Sequence, residues 1–231
     1  MKARSELLTG IGRPPRPGKE GPVPRMAPEE RRAMILKRAV EFFAEYGLTA
    51  QTRALAEACG VAQRLLYRYF PSKAALVGEV YREGILSPFK AVWLVQLKDR
   101  TRPFEERLTA FYKDYYEQVL TRRWLRLFMY ASLAEARMAP DYIQAIIKEM
   151  LETIVGEAAA DQGVTLPLNR ALLHEIGWVL HGAVSHFAIR RHLYEASQSL
   201  PAEHILALHI RAFLDSFPTV VVEAGKMEDA A

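Results

Sequence analysis

Gln63, Arg64, Tyr67 and Arg68 stand at i, i+1, i+4 and i+5 of one short amphipathic run, so a helix carries all four on one side. Each is a hydrogen-bond donor of different reach. An arginine fork reads guanine edges or clamps phosphates, a glutamine amide reads adenine, and a tyrosine hydroxyl donates to a phosphate oxygen. The chemistry they share is the reading of a nucleic-acid surface rather than bond making. Leu66, Tyr69 and Phe70 supply the inward face of the same run.

Such a helix needs a frame. A short helix before it, with Thr52 as its cap and running from Arg53 to Cys59, turns Leu55, Ala56 and Cys59 inward. Gly60 gives a flexible turn and Val61 an apolar plug. Two short helices joined by a tight turn behind a longer one make a helix-turn-helix. The longer one starts at Pro28, with Glu29 and Glu30 complementing its dipole. It carries Ile35, Ala39, Phe42, Phe43 and Tyr46 inward and stops at Gly47. Pro71 breaks the reading helix, and Ser72 caps a fourth that begins at Lys73.

The bulk composition agrees with this frame. The 231 residues are half hydrophobic and a quarter charged, enough for two packed domains. Residues 1–82 carry 15 Lys/Arg against 8 Asp/Glu, while 83–231 carry 16 against 19, so a basic front end joins a mildly acidic body. Residues 1–25, with five prolines, four glycines and six basic residues, read as a disordered basic tail. No run reaches the roughly 20 uninterrupted apolar residues of a membrane span, and the N-terminus lacks an apolar signal core. Cys59 is the only cysteine and cannot form an internal disulfide. A cytoplasmic protein with no membrane partner is expected.

Behind the front end the expected helices lengthen. Thr101 caps one with Pro103 in its first turn; others run from Trp124 to Met138, Asp141 to Asp161 with a stop at Gly163, Leu168 to Ala196, and Pro201 to Phe217, halted by Pro218. Thr219 to Val222 has strand-like composition but is too isolated to build a sheet. The fold class is therefore all-α. The expected layout is a tail at 1–25, a three-helix helix-turn-helix domain at 26–82, a larger helical regulatory and dimerisation domain at 83–217, and a C-terminal tail at 218–231. The larger domain is rich in aromatics, which serve core packing or line an apolar pocket between helices. His174, Trp178, His181 and Ser185 share one face of the long helix, flanked by Gly177 and Gly182, where a partner helix or a ligand comes close. Phe111, Tyr115, Trp124, Phe128, Trp178, His181 and Ser185 are the candidate ligand-binding residues.

Other chemistries find little footing. His174 and His181 lie two turns apart, and His181/His186 and His204/His209 are five apart, so neither spacing closes on one ion and no metal or other cofactor is expected. There is no phosphate-cradling glycine loop, nucleophile elbow or activated cysteine, so no enzyme is expected.

The run from Leu55 to Leu76 resembles the DNA-binding signature of the TetR family, most specifically in Leu66-Tyr67-x-Tyr69-Phe70-x-Ser72-Lys73-x-x-Leu76. The resemblance covers about residues 31–80. It implies that Tyr67 and Lys73 contact phosphates and that Gln63, Arg64, Arg68 and Tyr69 face the major groove or its walls. With Thr52 and Arg53 at the head of the first short helix, these form the candidate DNA-binding set. The resemblance further implies a homodimer whose last two helices pair into a four-helix bundle, a double-stranded operator, and a repressor released by a small-molecule effector. A protein partner in place of the small ligand is the alternative. Family members often carry Gly-Thr or Pro-Thr where this chain has Arg64-Leu65, so its base preference is its own.

Overall fold

The computed structural model describes residues 26–134, 142–194 and 200–229. The expected basic tail at 1–25 lies outside them. The helices expected to reach Met138 and Ala196 stop earlier, at Leu133 and His192, with Ala134 and Leu193 as their cap residues. Every regular element among the described residues is helical. They fall into two compact units, one ending at Val80 and one beginning at Tyr81.

In the first unit α1 (Pro28–Tyr46) opens with Pro28, and the Glu30 carboxylate accepts from the Ala27 amide at 3.2 Å. It buries Ile35, Ala39, Val40 and Phe43, and Gly47 ends it at φ 82°. Tyr46 does not join that inward face. It is 43% exposed and leans on Phe42, ring centroids 4.9 Å apart, because the last turn carries it past the edge of the core. α2 (Thr52–Ala58) and α3 (Gln63–Tyr69) follow, joined through Gly60 at φ 67°, a left-handed conformation that glycine adopts without a Cβ clash. The Thr52 cap is also corrected. Gln51 is the cap residue and Thr52 is the first helical residue, its hydroxyl turned to α3 instead of the α2 amides. Ser72 does cap α4 (Lys73–Tyr81), accepting from Ala75 N at 3.0 Å. Phe43, Leu55, Leu66, Phe70 and Leu76 form a core closed to solvent.

The second unit starts with a single π-turn, Arg82–Leu86, followed by α5 (Val92–Leu97), α6 (Phe104–Gln118) and α7 (Arg122–Leu133). A second π-turn, Ile143–Ile147, leads into α8 (Lys148–Gln162); α9 (Arg170–His192) and α10 (Ala202–Asp229) complete it. Pro103 is the cap residue of α6, and Thr101 does not cap it. The Thr101 hydroxyl is spent on Asp99 at 2.7 Å, two residues back, so the local turn wins over the helix end. Gly163 at φ 66° stops α8 as expected. At Gly177 a Cβ would fall 2.8 Å from Leu151 Cβ, so glycine lets α8 and α9 approach closely, whereas Gly182 meets nothing within 4 Å.

The expected halt at Pro218 and the tail at 218–231 are overturned. α10 runs through Pro218 to Asp229, and Thr219 to Val222 are helical. Proline removes the amide that would bond Leu214 O. Gln162 Nε2 donates to that carbonyl at 3.0 Å, which restores the missing partner from a neighbouring helix. By length and hydropathy α10 could cross a membrane. It carries Arg211, Asp215, Glu223 and Lys226, however, and buries Leu206, Ile210, Phe213, Phe217 and Val221 within its unit.

A charge cluster with a buried Arg107–Glu157 pair at its centre pins three of these elements. Glu157 on α8 accepts from Arg107 Nη1 on α6 at 2.9 Å and from Arg100 Nη2 at 3.0 Å. Arg107 also donates to Arg102 O and to Leu97 O at the end of α5.

Candidate nucleic-acid interface and aromatic cluster

Helix α3 buries Leu66 and leaves Gln63, Arg64, Tyr67 and Arg68 exposed, as their spacing requires. Tyr67 is 38% exposed, Tyr69 and Lys73 are half-buried, and Lys73 begins α4. Among the described residues neither Arg64 nor Arg68 has an ion-pair partner, so both guanidinium groups remain free to serve an anion. Arg53 is exposed but occupied, 3.5 Å from Glu57 on the same helix. Thr52 lies beneath this surface, 7% exposed. Its Oγ1 accepts from Gln63 Nε2 at 3.2 Å and sits 2.8 Å from Tyr67 Oη. The link from Thr52 to Gln63 and Tyr67 carries no sequence signal, because spacing along two different helices does not report which side chains meet.

The expected ligand residues fall into two aromatic groups within the second unit. Phe111, Tyr115, Trp178 and His181 gather with Trp93 and Tyr112: Phe111 stacks on Tyr115 at 5.5 Å, and His181 sits 5.6 Å from Tyr115 and 5.2 Å from Trp178. Ser185 Oγ lies 3.4 Å from His181 Nε2. Trp124 stacks on Phe128 at 4.8 Å, and both pack on Tyr142. Trp124 Nε1 also donates to Ile85 O in the first π-turn at 3.2 Å. The hydroxyls of Tyr115 and Tyr142, 3.4 Å apart, link the two groups. His174 leaves its expected companions and pairs with Glu152 at 2.7 Å, beside Arg170.

Burial holds this aromatic cluster neutral. It drives the His181 imidazole down to about 4 and the Tyr142 phenol up to about 12, and raises Tyr112 and Tyr115 well above the usual phenol range. Tyr112 Oη and His181 Nδ1 are buried without a hydrogen-bond partner among the described residues, their rings 6.2 Å apart. Tyr112 was absent from the expected ligand set. The density of aromatic residues along α6 was its only signal, and that pattern reads equally well as core.

Residues 35–80 match the family model of bacterial regulatory proteins, tetR family. No curated protein sequence matches the chain. Among solved structures, the chain is similar to a TetR-like transcriptional regulator from Rhodococcus sp. RHA1, with a TM-score of 0.62 and 17% identity over 84% of this chain and 99% of that one. It is similar to a tetR-family regulator from Streptomyces coelicolor, with a TM-score of 0.56 and 17% identity over 86% and 90%. A third is Thermus thermophilus FadR, a TetR-family repressor in complex with lauroyl-CoA, with a TM-score of 0.52 and 19% identity over 79% and 93%. At these identities the likeness is one of fold. The matched segment contains the whole helix-turn-helix with its outward donors, and the long-helix unit behind it has the neighbours' architecture. Residues 35–80 thus form a DNA-binding domain of the kind found in bacterial regulatory proteins of the tetR family, and the helical unit behind it shares the fold of such regulators.

Proposed function

We propose that the protein is a cytoplasmic, homodimeric repressor that grips operator DNA with α3 and the start of α4 and changes its grip when a small molecule enters the second unit. The observation that carries the DNA half is the outward face of α3, where Gln63, Arg64, Tyr67 and Arg68 stand exposed, with neither arginine ion-paired among the described residues. Lys73 and Tyr69 flank that face. Two such helices, one per protomer, would read half-sites about one helical turn, ~34 Å, or a multiple apart. Val179 on α9, with Leu208, Val222 and Met227 on α10, are exposed apolar residues that suit pairing of these helices between protomers. Replacing Tyr67 and Lys73 together by alanine is expected to weaken retention of a duplex carrying the promoter beside the protein's own gene by roughly tenfold or more. Unchanged affinity at moderate salt would remove both residues from the interface.

The effector half rests on the aromatic cluster. A buried polar atom without a partner costs about 1–3 kcal/mol, and among the described residues the cluster holds two, Tyr112 Oη and His181 Nδ1. A ligand whose inserted part is uncharged, apolar and tipped with one hydroxyl or carbonyl group would complete them without burying a charge. Lauroyl-CoA, the ligand described for the Thermus thermophilus neighbour, has an uncharged acyl chain and so belongs in the screen. Thermal-shift assays should show stabilisation by acyl-CoA or by uncharged hydroxylated apolar compounds, together with altered retention of the duplex, and a smaller shift in Tyr112→Phe. A melting point unmoved by every compound of this kind would count against the effector.

A further inference from the structure

Thr52 is nearly closed to solvent, yet its hydroxyl meets two of the exposed side chains of α3. A hydroxyl has one proton and two lone pairs. Gln63 Nε2 donates to Thr52 Oγ1 at 3.2 Å and occupies one lone pair. If Tyr67 donated too, the Thr52 proton would be left buried with no acceptor, because Thr52 Oγ1 makes no other hydrogen bond among the described residues. The satisfied arrangement runs one way: Gln63 N–H to Thr52 Oγ1, Thr52 O–H to Tyr67 Oη, and the Tyr67 proton outward. Each bond in such a chain polarises the next.

We propose that Thr52 is a positioning residue that touches no DNA itself but orients Gln63 and Tyr67 and leaves the Tyr67 hydroxyl as a committed donor to an acceptor-only group, a phosphodiester oxygen. This rests on the DNA-binding reading above. It also gives Gln63 a fixed amide plane: one N–H is held by Thr52, and the other N–H and the carbonyl remain for a base edge. Two helices of the motif are thereby tied at the surface that meets the nucleic acid, not only through their apolar core.

The test is binding of the full-length protein to the duplex carrying its own promoter. Thr52→Val keeps the branched shape and removes the hydroxyl; Thr52→Ser keeps the hydroxyl. Thr52→Val is expected to weaken binding roughly tenfold, the scale of one hydrogen bond to a charged acceptor, while Thr52→Ser stays within about twofold. The slope of log affinity against log salt should not change, since no cation is lost. In a background carrying both Gln63→Ala and Tyr67→Phe, Thr52→Val should cost less than about twofold more, because both side chains it serves have gone. Wild-type affinity in Thr52→Val overturns the proposal. So does a Thr52→Ser variant as weak as Thr52→Val, or a full additive loss in that double background, which would make Thr52 a packing residue only. If Thr52→Val melts far below wild type, Thr52→Ala against Thr52→Ser, compared at equal folded fraction, decides in the same way. A wild-type protein that does not bind the duplex would instead overturn the DNA-binding reading itself.

Discussion

Glu157→Leu is expected to cost the second unit about 3–5 kcal/mol, the usual loss when one partner of a buried ion pair is removed. The reason is the cation left behind. Arg107 is buried, and without Glu157 its guanidinium keeps only the Leu97 and Arg102 carbonyls. In a unit of this size the loss should lower the melting temperature by roughly 10 °C. Adding Arg107→Met should restore much of it, because an apolar pair of similar volume removes the uncompensated charge. Calorimetry of the three proteins checks this, and an unchanged midpoint in the single variant would refute it. The same carboxylate sets an acid limit. Arg100 above all, with help from Arg107 and against the opposing effect of burial, holds Glu157 below the usual carboxylate value. A depressed folded value means that the stabilisation is complete above the unfolded pKa, about 4.3, and drains away as pH falls through the folded one. Glu157→Gln should therefore flatten part of the stability loss below about pH 4.5.

The second large effect is on DNA. Arg64→Ala combined with Arg68→Ala is expected to reduce affinity for the promoter duplex about 10²–10⁴-fold, on the scale of about 1–3 kcal/mol for each well-made arginine contact. Both side chains are exposed, and among the described residues neither has an ion-pair partner that would compete for it. Arg53→Ala is the matched control. Its guanidinium is already paired with Glu57 in the open, and its removal should cost little. Titration at two salt concentrations separates the roles: loss of a phosphate contact lowers the salt slope by about one, whereas loss of a base contact relaxes sequence preference. A double variant within about threefold of wild type would displace the reading surface from α3.

The helix-turn-helix was legible because its constraints are local. Each short helix has its own inward set, Leu55 with Ala56 and Leu66 with Phe70, and Gly60 and Ser72 mark the joints. What escaped is whatever depends on a neighbour. Thr52 reads as a cap in sequence, and only the arrival of Tyr67 and Gln63 from the next helix gives its hydroxyl a better use. Pro218 reads as a stop, and only Gln162, fifty-six residues earlier, lets the helix continue. The face through His174, Trp178, His181 and Ser185 is real as helix geometry, but Glu152, itself held by Arg170, draws His174 into a separate hydrogen-bonded cluster while the others join the aromatic cluster. Aromatic richness pointed to the right region without showing that it holds two groups joined through a pair of tyrosine hydroxyls.

The three hydrogen bonds that reach α10 from this side also matter together. Gln162 at the end of α8 holds Leu214 O, and Glu228 takes the Leu168 and Asn169 amides at 3.0 and 2.6 Å, just before α9. The connection from 163 to 169 is thus clasped at both ends by one helix, across the proline that would otherwise be its weak point. Slow opening of the C-terminal half of α10 and of that connection should then be a single cooperative event, with amides on both segments exchanging their hydrogens in step. A protein that pairs with its own copy along the outer side of α10 would slow that exchange in both segments at once.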